Sequence, residues 1–535
     1  MLLKLLRKRD KMKIDPKELQ NLQILVDSDH WHALINKCTD LLSLHPTSPI
    51  IWNMFGLGHF QSGNVAGAKM AFEEAMELDR NFAPAYFNHG NACRELGQLN
   101  IALNSFKAAV ALETKNFSYL TNLGNILCDM GLRSEAVHYL KAAVETSPNS
   151  AVAHFNLANV LKPLGQIENA EKELNAAVSL DPTNSNYKIN LALLLEDLGR
   201  FEQARDQLNL AILDEPNNPR VQTNLGHLNL REQDFKNGWP QKEFYWKSDE
   251  VQEEPLKTRK PLWQGGTVRR LFIWAEQGIG DQIMYASCFN ELNVYCDQVL
   301  VSLSDRLVPL FQRSFSSNFK FKDKKLPFLE EEFDAHSPGM TALGIMRPDA
   351  KAFESSTGPY LKADATRVLV AREYLSGLAK DKPIFGLSWF SNSPRNGFLR
   401  SVPIREMVAA LPADCLLVNL QYGNFDQELK AIELETGRLV HSIPGLDTKE
   451  DLDGLAAGIM SCDEVITIDN SVAHLSGALG QNTNVLLPFG SDWRWSNLQE
   501  DSNLWYKSVR LNRQCKPQDW STCLSEIKYF NLSAN

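Results

Sequence analysis

The 535-residue sequence lacks an excess of basic charge: 55 Lys and Arg face 65 Asp and Glu, a formal net charge of −10. Proteins that grip nucleic acid without regard to sequence carry the opposite balance, so no nucleic-acid partner is expected. No window of about eighteen residues is continuously apolar, which excludes an ordinary transmembrane helix and stable membrane insertion. The opening MLLKLLRKRDKMK breaks its apolar residues with Lys4 and Arg7, so it makes a poor signal peptide and reads as a frayed basic terminus. Nine cysteines, at 38, 93, 128, 288, 296, 415, 462, 515 and 523, form no CxxC pair and no Cys/His metal spacing. That usage points to reduced thiols, no bound metal and a cytoplasmic location. The length leaves room for three or four domains.

What the sequence has is a period. Small residues recur every 34 positions at Gly56, Gly90, Gly124, Ala158, Ala192 and Gly226, and a second series runs from Ala68 through Ala102, Ala136, Ala170 and Ala204 to Gly238. A third holds Gly63, Gly97, Gly131, Gly165 and Gly199, and a fourth Ala75, Ala109, Ala143, Ala177 and Ala211; Pro148, Pro182 and Pro216 close units. Each unit reads as helix–turn–helix. The glycine after the first helix supplies a positive-φ stop, and the alanines let two helices approach closely around Phe72, Phe106 and Leu140. A single unit cannot bury its apolar face, so units stack. The pattern resembles the tetratricopeptide repeat (TPR) family and implies an all-α superhelical solenoid over residues 14–247, about six to seven units. Ile14–Leu44 reads as a degenerate first unit, and Gln222–Trp246, with Gln233 and Gly238, as a departing last one.

Asparagines keep the same period at 88, 122, 156, 190 and 224, and Asn91, Asn125 and Asn159 follow three residues later. Spacing of three puts each pair on one helix face. A ladder of carboxamides offers donors and acceptors to an extended peptide backbone. It resembles the peptide-holding groove of the O-GlcNAc transferase superhelix. Ordinary TPR units also often carry Asn at both positions, so Asn88, Asn91, Asn122, Asn125, Asn156, Asn159, Asn190 and Asn224 stand as an acceptor groove or as plain repeat residues.

Beyond residue 247 the period stops. Residues 248–268 are charged, carry Pro255 and Pro261, and read as a linker. Short β-rich runs then alternate with helical stretches, which predicts parallel α/β units. Strands are expected at Arg270–Ala275, Gln298–Leu303, Pro383–Trp389, Cys415–Gln421, Glu464–Ile468 and Asn484–Leu487, with helices over Gln282–Leu292 and Leu307–Phe315. Two Rossmann-like halves follow, 269–380 and 383–520, facing a cleft, with a helix or tail over 521–535. Gly278-Ile-Gly280-Asp281 joins a strand to a helix but lacks the third glycine of a dinucleotide fingerprint, which argues against an oxidoreductase. Asp469-Asn470-Ser471-Val472-Ala473-His474 makes the matching turn in the second half, where a helix N-terminus after a parallel strand suits an anion. Asp469 or Ser471 serves equally as an N-cap there, and His474 as a core histidine. Asp451-Leu-Asp453 precedes a helix and reads as an N-cap, with no metal.

The segments WAEQGIGDQIMYASC, ITIDNSVAHLSGALG, PFGSDWRW and NLWYKSVRLNRQ, in that order, resemble the C-terminal region of bacterial TPR–glycosyltransferase proteins. That region is similar to the ADP-heptose:lipopolysaccharide heptosyltransferases, glycosyltransferase family 9, of GT-B fold. The resemblance implies Asp281 as catalytic base and Asp469, Asn470, Ser471 and His474 as the loop that binds the donor's diphosphate. Asn470 and Ser471 depart from the family's Thr-Gly. A basic residue after the first strand of the second half falls on Arg395 or Arg400, and position does not choose between them. Gly278, Gly280, Ser388, Trp493 and Arg494 complete the donor set, with Trp493 and Arg494 able to stack on a base or sugar; Trp495 reads more as loop packing. No cofactor is expected beyond the nucleotide-sugar donor. The leading expectation is an inverting glycosyltransferase acting on a protein presented by the solenoid, such as a bacterial surface or flagellar protein. A glycolipid or polysaccharide acceptor with the solenoid as docking arm, and a non-catalytic TPR scaffold, are the alternatives.

Overall fold

The computed structural model describes residues 14–248, 254–354, 358–393, 396–496 and 503–530. The basic cluster Lys4–Lys13, the candidate Arg395, residues 249–253 of the expected linker and the tail 531–535 lie outside the described residues.

The 34-residue period becomes helix pairs. These are α1 (Pro16–Asp27) with α2 (Trp31–Leu44), α3 (Pro49–Gln61) with α4 (Val65–Leu78), and α5 (Ala83–Glu95) with α6 (Leu99–Leu112). Next come α7 (Phe117–Asp129) with α8 (Arg133–Thr146), and α9 (Ala151–Leu161) with α10 (Ile167–Leu180). The last are α11 (Ser185–Asp197) with α12 (Phe201–Asp214), and α13 (Pro219–Arg231) with the short α14 (Phe235–Lys242). Gly97 and Gly131 end their helices at φ +71° and +77°, and Asp29 and Gln233 take the same left-handed backbone in the two atypical pairs. A Cβ on Gly90 would stand 2.7 Å from the Phe106 ring, and one on Gly124 2.5 Å from Leu140. The small-residue series therefore marks where one helix receives the large side chain of its mate.

Two compact units divide the chain, residues 1–187 and 188–535. The division falls within α11, so most of the last two helix pairs belongs with the sheets rather than with the earlier repeats. In the second unit Leu230, Phe235 and Trp239 share one core with Leu271, Ile273 and Tyr285. The Trp239 indole N–H donates to the Arg347 carbonyl at 2.8 Å. Residues 254–264, expected as linker, are partly docked: Trp263 N–H donates to the His336 carbonyl at 2.7 Å, and the Thr258 hydroxyl to Glu330 at 2.7 Å.

Two all-parallel sheets follow. The first has the order β3-β2-β1-β4, from β1 (Val268–Trp274), β2 (Cys296–Leu303), β3 (Phe319–Asp323) and β4 (Ala335–Pro338). The second has the order β10-β9-β8-β5-β6-β7, from β5 (Ile384–Ser388), β6 (Leu416–Asn419), β7 (Val440–His441), β8 (Glu464–Ile468), β9 (Thr483–Leu487) and β10 (Val509–Arg513). Helices flank them: α15 (Ile279–Tyr285), α16 (Val308–Ser314), α17 (Gly339–Met346), α18 (Ala365–Ala379), α19 (Gly397–Arg400), α20 (Ile404–Ala410), α21 (Asp426–Thr436), α22 (Leu452–Met460), α23 (Ser471–Leu479) and α24 (Trp520–Ser525). The helix expected over Gln282–Leu292 begins earlier, at Ile279, and tightens into a 3₁₀ turn over Ala286–Val294, where Cys288 donates to the Tyr285 carbonyl. Asp451 caps α22, accepting from Gly454 N–H at 2.8 Å, and Asp453 pairs with Arg313.

Candidate functional site

Strand order in the second sheet reverses between β5 and β8, which leaves a crevice at their carboxyl ends where open parallel sheets take ligands. Ser388 ends β5, and Asp469 and Asn470 follow β8. The first sheet reverses likewise between β1 and β4, and β1 runs out through Glu276 and Gln277 into Gly278 and α15. Gln277 is a non-glycine residue at φ +59°, an uncommon backbone that surrounding contacts must hold.

Asp281, in the first turn of α15, accepts from Gly278 N–H at 3.2 Å. Its other oxygen receives Arg494, whose Nε donates at 3.1 Å and whose Nη2 also bonds it. Arg494 Nη1 reaches Asp492 at 2.6 Å, Arg400 lies 3.6 Å from Asp492 and 3.2 Å from Asp469, and the Trp495 indole N–H donates to Asp469 at 2.7 Å. Charges of alternating sign thus link the first sheet's turn to the second's. Burial works against the Asp492 carboxylate, yet the Arg494 and Arg400 guanidinium groups overcome it and hold its pKa far below the usual range. Burial likewise works against Arg494, and Asp281 with Asp492 raises its pKa above the ordinary value.

His474 is 4 % exposed. Its Nδ1 lies 3.1 Å from the Tyr506 hydroxyl, its ring stacks on Trp495 at 5.1 Å, and a Cβ on Gly280 would stand 3.0 Å from it. Burial pulls its pKa down to about 4, so the imidazole is neutral near pH 7. Expected both as a phosphate contact and as a core histidine, it is built here into the core.

The cap of α23 is neither Asp469 nor Ser471 but Asn470, whose Oδ1 accepts from Val472 N–H at 2.9 Å. Its amide donates to Ser388 at 2.8 Å, and Ser388 donates to Gln421 at 3.0 Å. Asn470 and Ser388 are therefore spent on tying β8 to β5. Ser471 is half-buried at the start of α23, and Gly278 is exposed. Trp493 is packed by His227, Trp239 and Trp505, with ring centroids at 6.2, 5.7 and 6.4 Å, and the Arg494 guanidinium lies over it. Like Trp495, it is mostly wall.

A cavity of about 560 Å³ opens beside this network. Arg400, Asp492 and Arg494 line it from the second sheet's side, and His227, Arg231 and Lys242 from α13 and α14. The last three escaped the sequence reading, as did Tyr506 and Glu276. Gly226 and Gly238 were the available signal: a Cβ on Gly226 would stand 2.8 Å from Lys242 N, so two helix backbones touch where Lys242 emerges. Glu276 is 1 % exposed, accepts from Met340 N–H at 2.8 Å, and has its pKa pushed up to about 7 by burial.

The asparagines are partly committed. Asn88 donates to Asn53 of the preceding repeat at 2.9 Å, while Asn122 and Asn224 donate to the carbonyls of Ser118 and Arg220, four residues back. Asn224 is buried, Asn159 exposed, and Asn91, Asn125, Asn156 and Asn190 half-buried.

Tetratricopeptide repeat models match residues 83–116, 127–188 and 164–228. Over 268 residues the chain is 31 % identical to Protein FlbA of Caulobacter vibrioides, covering 46 % of this chain and 44 % of that protein. The chain thus spans less than half the length of that relative. Among solved structures, YrrB, described as a TPR protein with an unusual peptide-binding site, is 23 % identical with a TM-score of 0.31, covering 34 % of this chain and 95 % of its own. Pseudomonas aeruginosa pilF is 21 % identical with a TM-score of 0.33, covering 36 % and 88 %. The N-terminal helical region is a TPR solenoid, a module that presents protein-binding surfaces. Among the described residues no helix is long and apolar enough to cross a membrane.

Proposed function

We propose that the chain is an inverting, metal-independent glycosyltransferase that uses a nucleotide-diphosphate sugar and modifies a hydroxyl of a protein held by the solenoid. One arrangement carries the reading: a carboxylate, Asp281, in the first turn of the helix after β1, meets a cation-rich turn at the reversal point of the second sheet, beside a cavity of about 560 Å³. That volume suits a small-molecule ligand. In the reaction the acceptor oxygen attacks the anomeric carbon, Asp281 takes the hydroxyl proton, and the bond to the diphosphate breaks with its electron pair leaving on the phosphate. Arg494 occupies the Asp281 carboxylate in the structure. A diphosphate offers Arg494 a stronger partner, and its transfer to that anion frees the carboxylate. Nine unpaired cysteines suit a cytoplasmic setting.

The test is a thermal-shift and turnover screen of the full chain against nucleotide sugars. Asp281→Asn is expected to keep donor binding and lose roughly 10²–10⁴-fold in turnover. Unchanged turnover removes Asp281 from the mechanism. The scaffold reading rests on the same ion pair taken as purely structural, and it predicts no turnover of any nucleotide sugar. For the acceptor, replacing Asn122, Asn156 and Asn190 together by Ala is expected to raise the protein acceptor's KM several-fold and to spare donor hydrolysis. A glycolipid acceptor predicts no change in either.

A further inference from the structure

Two cations in the cavity come from the repeat module, and each keeps a donor group unspent. Lys242 is 6 % exposed and lines the cavity, yet among the described residues no hydrogen-bond acceptor or carboxylate lies within bonding reach of its ammonium. The ammonium lies 5.7 Å from the centroid of the Tyr245 ring. Burying a cation in this way is costly unless something pairs with it. The position is forced by the backbone, since α13 and α14 cross at Gly226 against the Lys242 amide. Arg231 is 5 % exposed. Its guanidinium lies 3.6 Å from the centroid of the Phe201 ring, Nη1 bonds the Ser491 carbonyl, and Nη2 is buried with no hydrogen-bond partner. Among the described residues, the other cations that line the cavity, Arg400 and Arg494, are already divided among Asp281, Asp469 and Asp492.

We propose that this cavity binds the phosphates of a nucleoside-diphosphate ligand, and that Lys242 and Arg231, from the last helix pair of the repeat module, are two of its ligands. The anion site stands on the geometry; its assignment to a sugar donor rests on the glycosyltransferase reading. Burial pulls the Lys242 pKa down, with Glu276 opposing, and an arriving anion favours the charged ammonium. Glu196 and Asp197 line the same cavity, where carboxylates can accept from the hydroxyls of a ribose or sugar. A mixed lining of this kind fits a nucleotide sugar better than a simple anion. The solenoid then completes the donor site as well as presenting an acceptor.

The experiment titrates full-length protein with inorganic pyrophosphate by calorimetry, in wild type, Lys242→Met and Lys242→Arg. Pyrophosphate is expected to bind wild type, to bind Lys242→Met at least 10-fold more weakly, and to bind Lys242→Arg within a few-fold of wild type. Without pyrophosphate, Lys242→Met is expected to melt no lower than wild type, because an unpaired buried ammonium is replaced by an apolar chain of similar length. If Lys242→Met does not fold, Arg231→Met takes its place with the same 10-fold criterion. Binding unaffected by the Met substitution, or no binding to wild type, overturns the proposal. Turnover of nucleotide sugars by wild type is scored separately. Turnover with pyrophosphate binding insensitive to Lys242 overturns the site and keeps the enzyme, while a Lys242-dependent site without turnover keeps the site and removes the enzyme.

Discussion

Packed by Trp495, Tyr506 and the Gly280 backbone, His474 carries a pH dependence of stated sign. Burial lowers its pKa from 6.5 to about 4, so between those values the unfolded chain binds a proton that the folded chain refuses. The stabilisation is complete above pH 6.5 and is lost as pH falls through 4, in all about 3 kcal/mol. Glu276 acts oppositely. With its pKa raised by burial to about 7, its contribution is complete below the ordinary 4.5 and lost as pH rises through 7. Urea unfolding of wild type and His474→Gln at pH 7.5 and 4.5 isolates the histidine, because Glu276 is common to both proteins. The variant is expected to lose less stability on acidification, and equal losses would show that His474 protonates without cost. The same burial shows why the residue was ambiguous in sequence, where a helix turn after a strand places a histidine equally well against a ligand or in the core.

Among the elements, the repeat glycines do two different jobs that substitution separates. Gly131→Ala forces a side chain onto a backbone at φ +77° with open space around it, so the cost is strain of about 1 kcal/mol. Gly124→Ala drives a Cβ to 2.5 Å from Leu140 inside a packed helix pair, and about 1–3 kcal/mol is expected. Adding Leu140→Ala should recover part of the second loss and none of the first; recovery in neither or both would refute the assignment. These pairs were legible because a period of 34 repeats the same packing rule many times over. β8 was legible because a fully buried parallel strand is a continuous apolar run. β3, Phe319-Lys-Phe-Lys-Asp, escaped because it is an edge strand with alternating burial, and β4 has only four residues, one of them proline. At the site, Asp281 and Arg494 were each visible in sequence, but their ion pair joins residues 213 positions apart and no local pattern announces it. Lys242 was hidden for a similar reason, since its significance lies in which sheet loops face the end of the repeats.

For the molecule as a whole, the boundary between repeats and sheets in sequence is not where the chain divides in space. The period ends near residue 247, while the compact units meet at 187 and 188. Leu230, Phe235 and Trp239, exposed to 1, 4 and 9 %, complete the core of the first sheet's region, and Trp246 packs beside Phe272 and Trp274. Burying large apolar side chains contributes about 1.5–3 kcal/mol each, so the first three alone supply about 5–9 kcal/mol. A domain's net stability is typically about 5–15 kcal/mol, so the sheets cannot spare them. A fragment of residues 248–535 is accordingly expected to lack a cooperative thermal transition and the near-ultraviolet circular dichroism of ordered tryptophans. A fragment of residues 182–535, which keeps α11 to α14, is expected to retain both. The comparison also bears on Lys242 and Arg231: only the longer fragment carries them, so only it can bind pyrophosphate. Native-like folding of the shorter fragment would show that the last two helix pairs are separable from the sheets, and the repeat module would then be an attachment to the site instead of part of its wall.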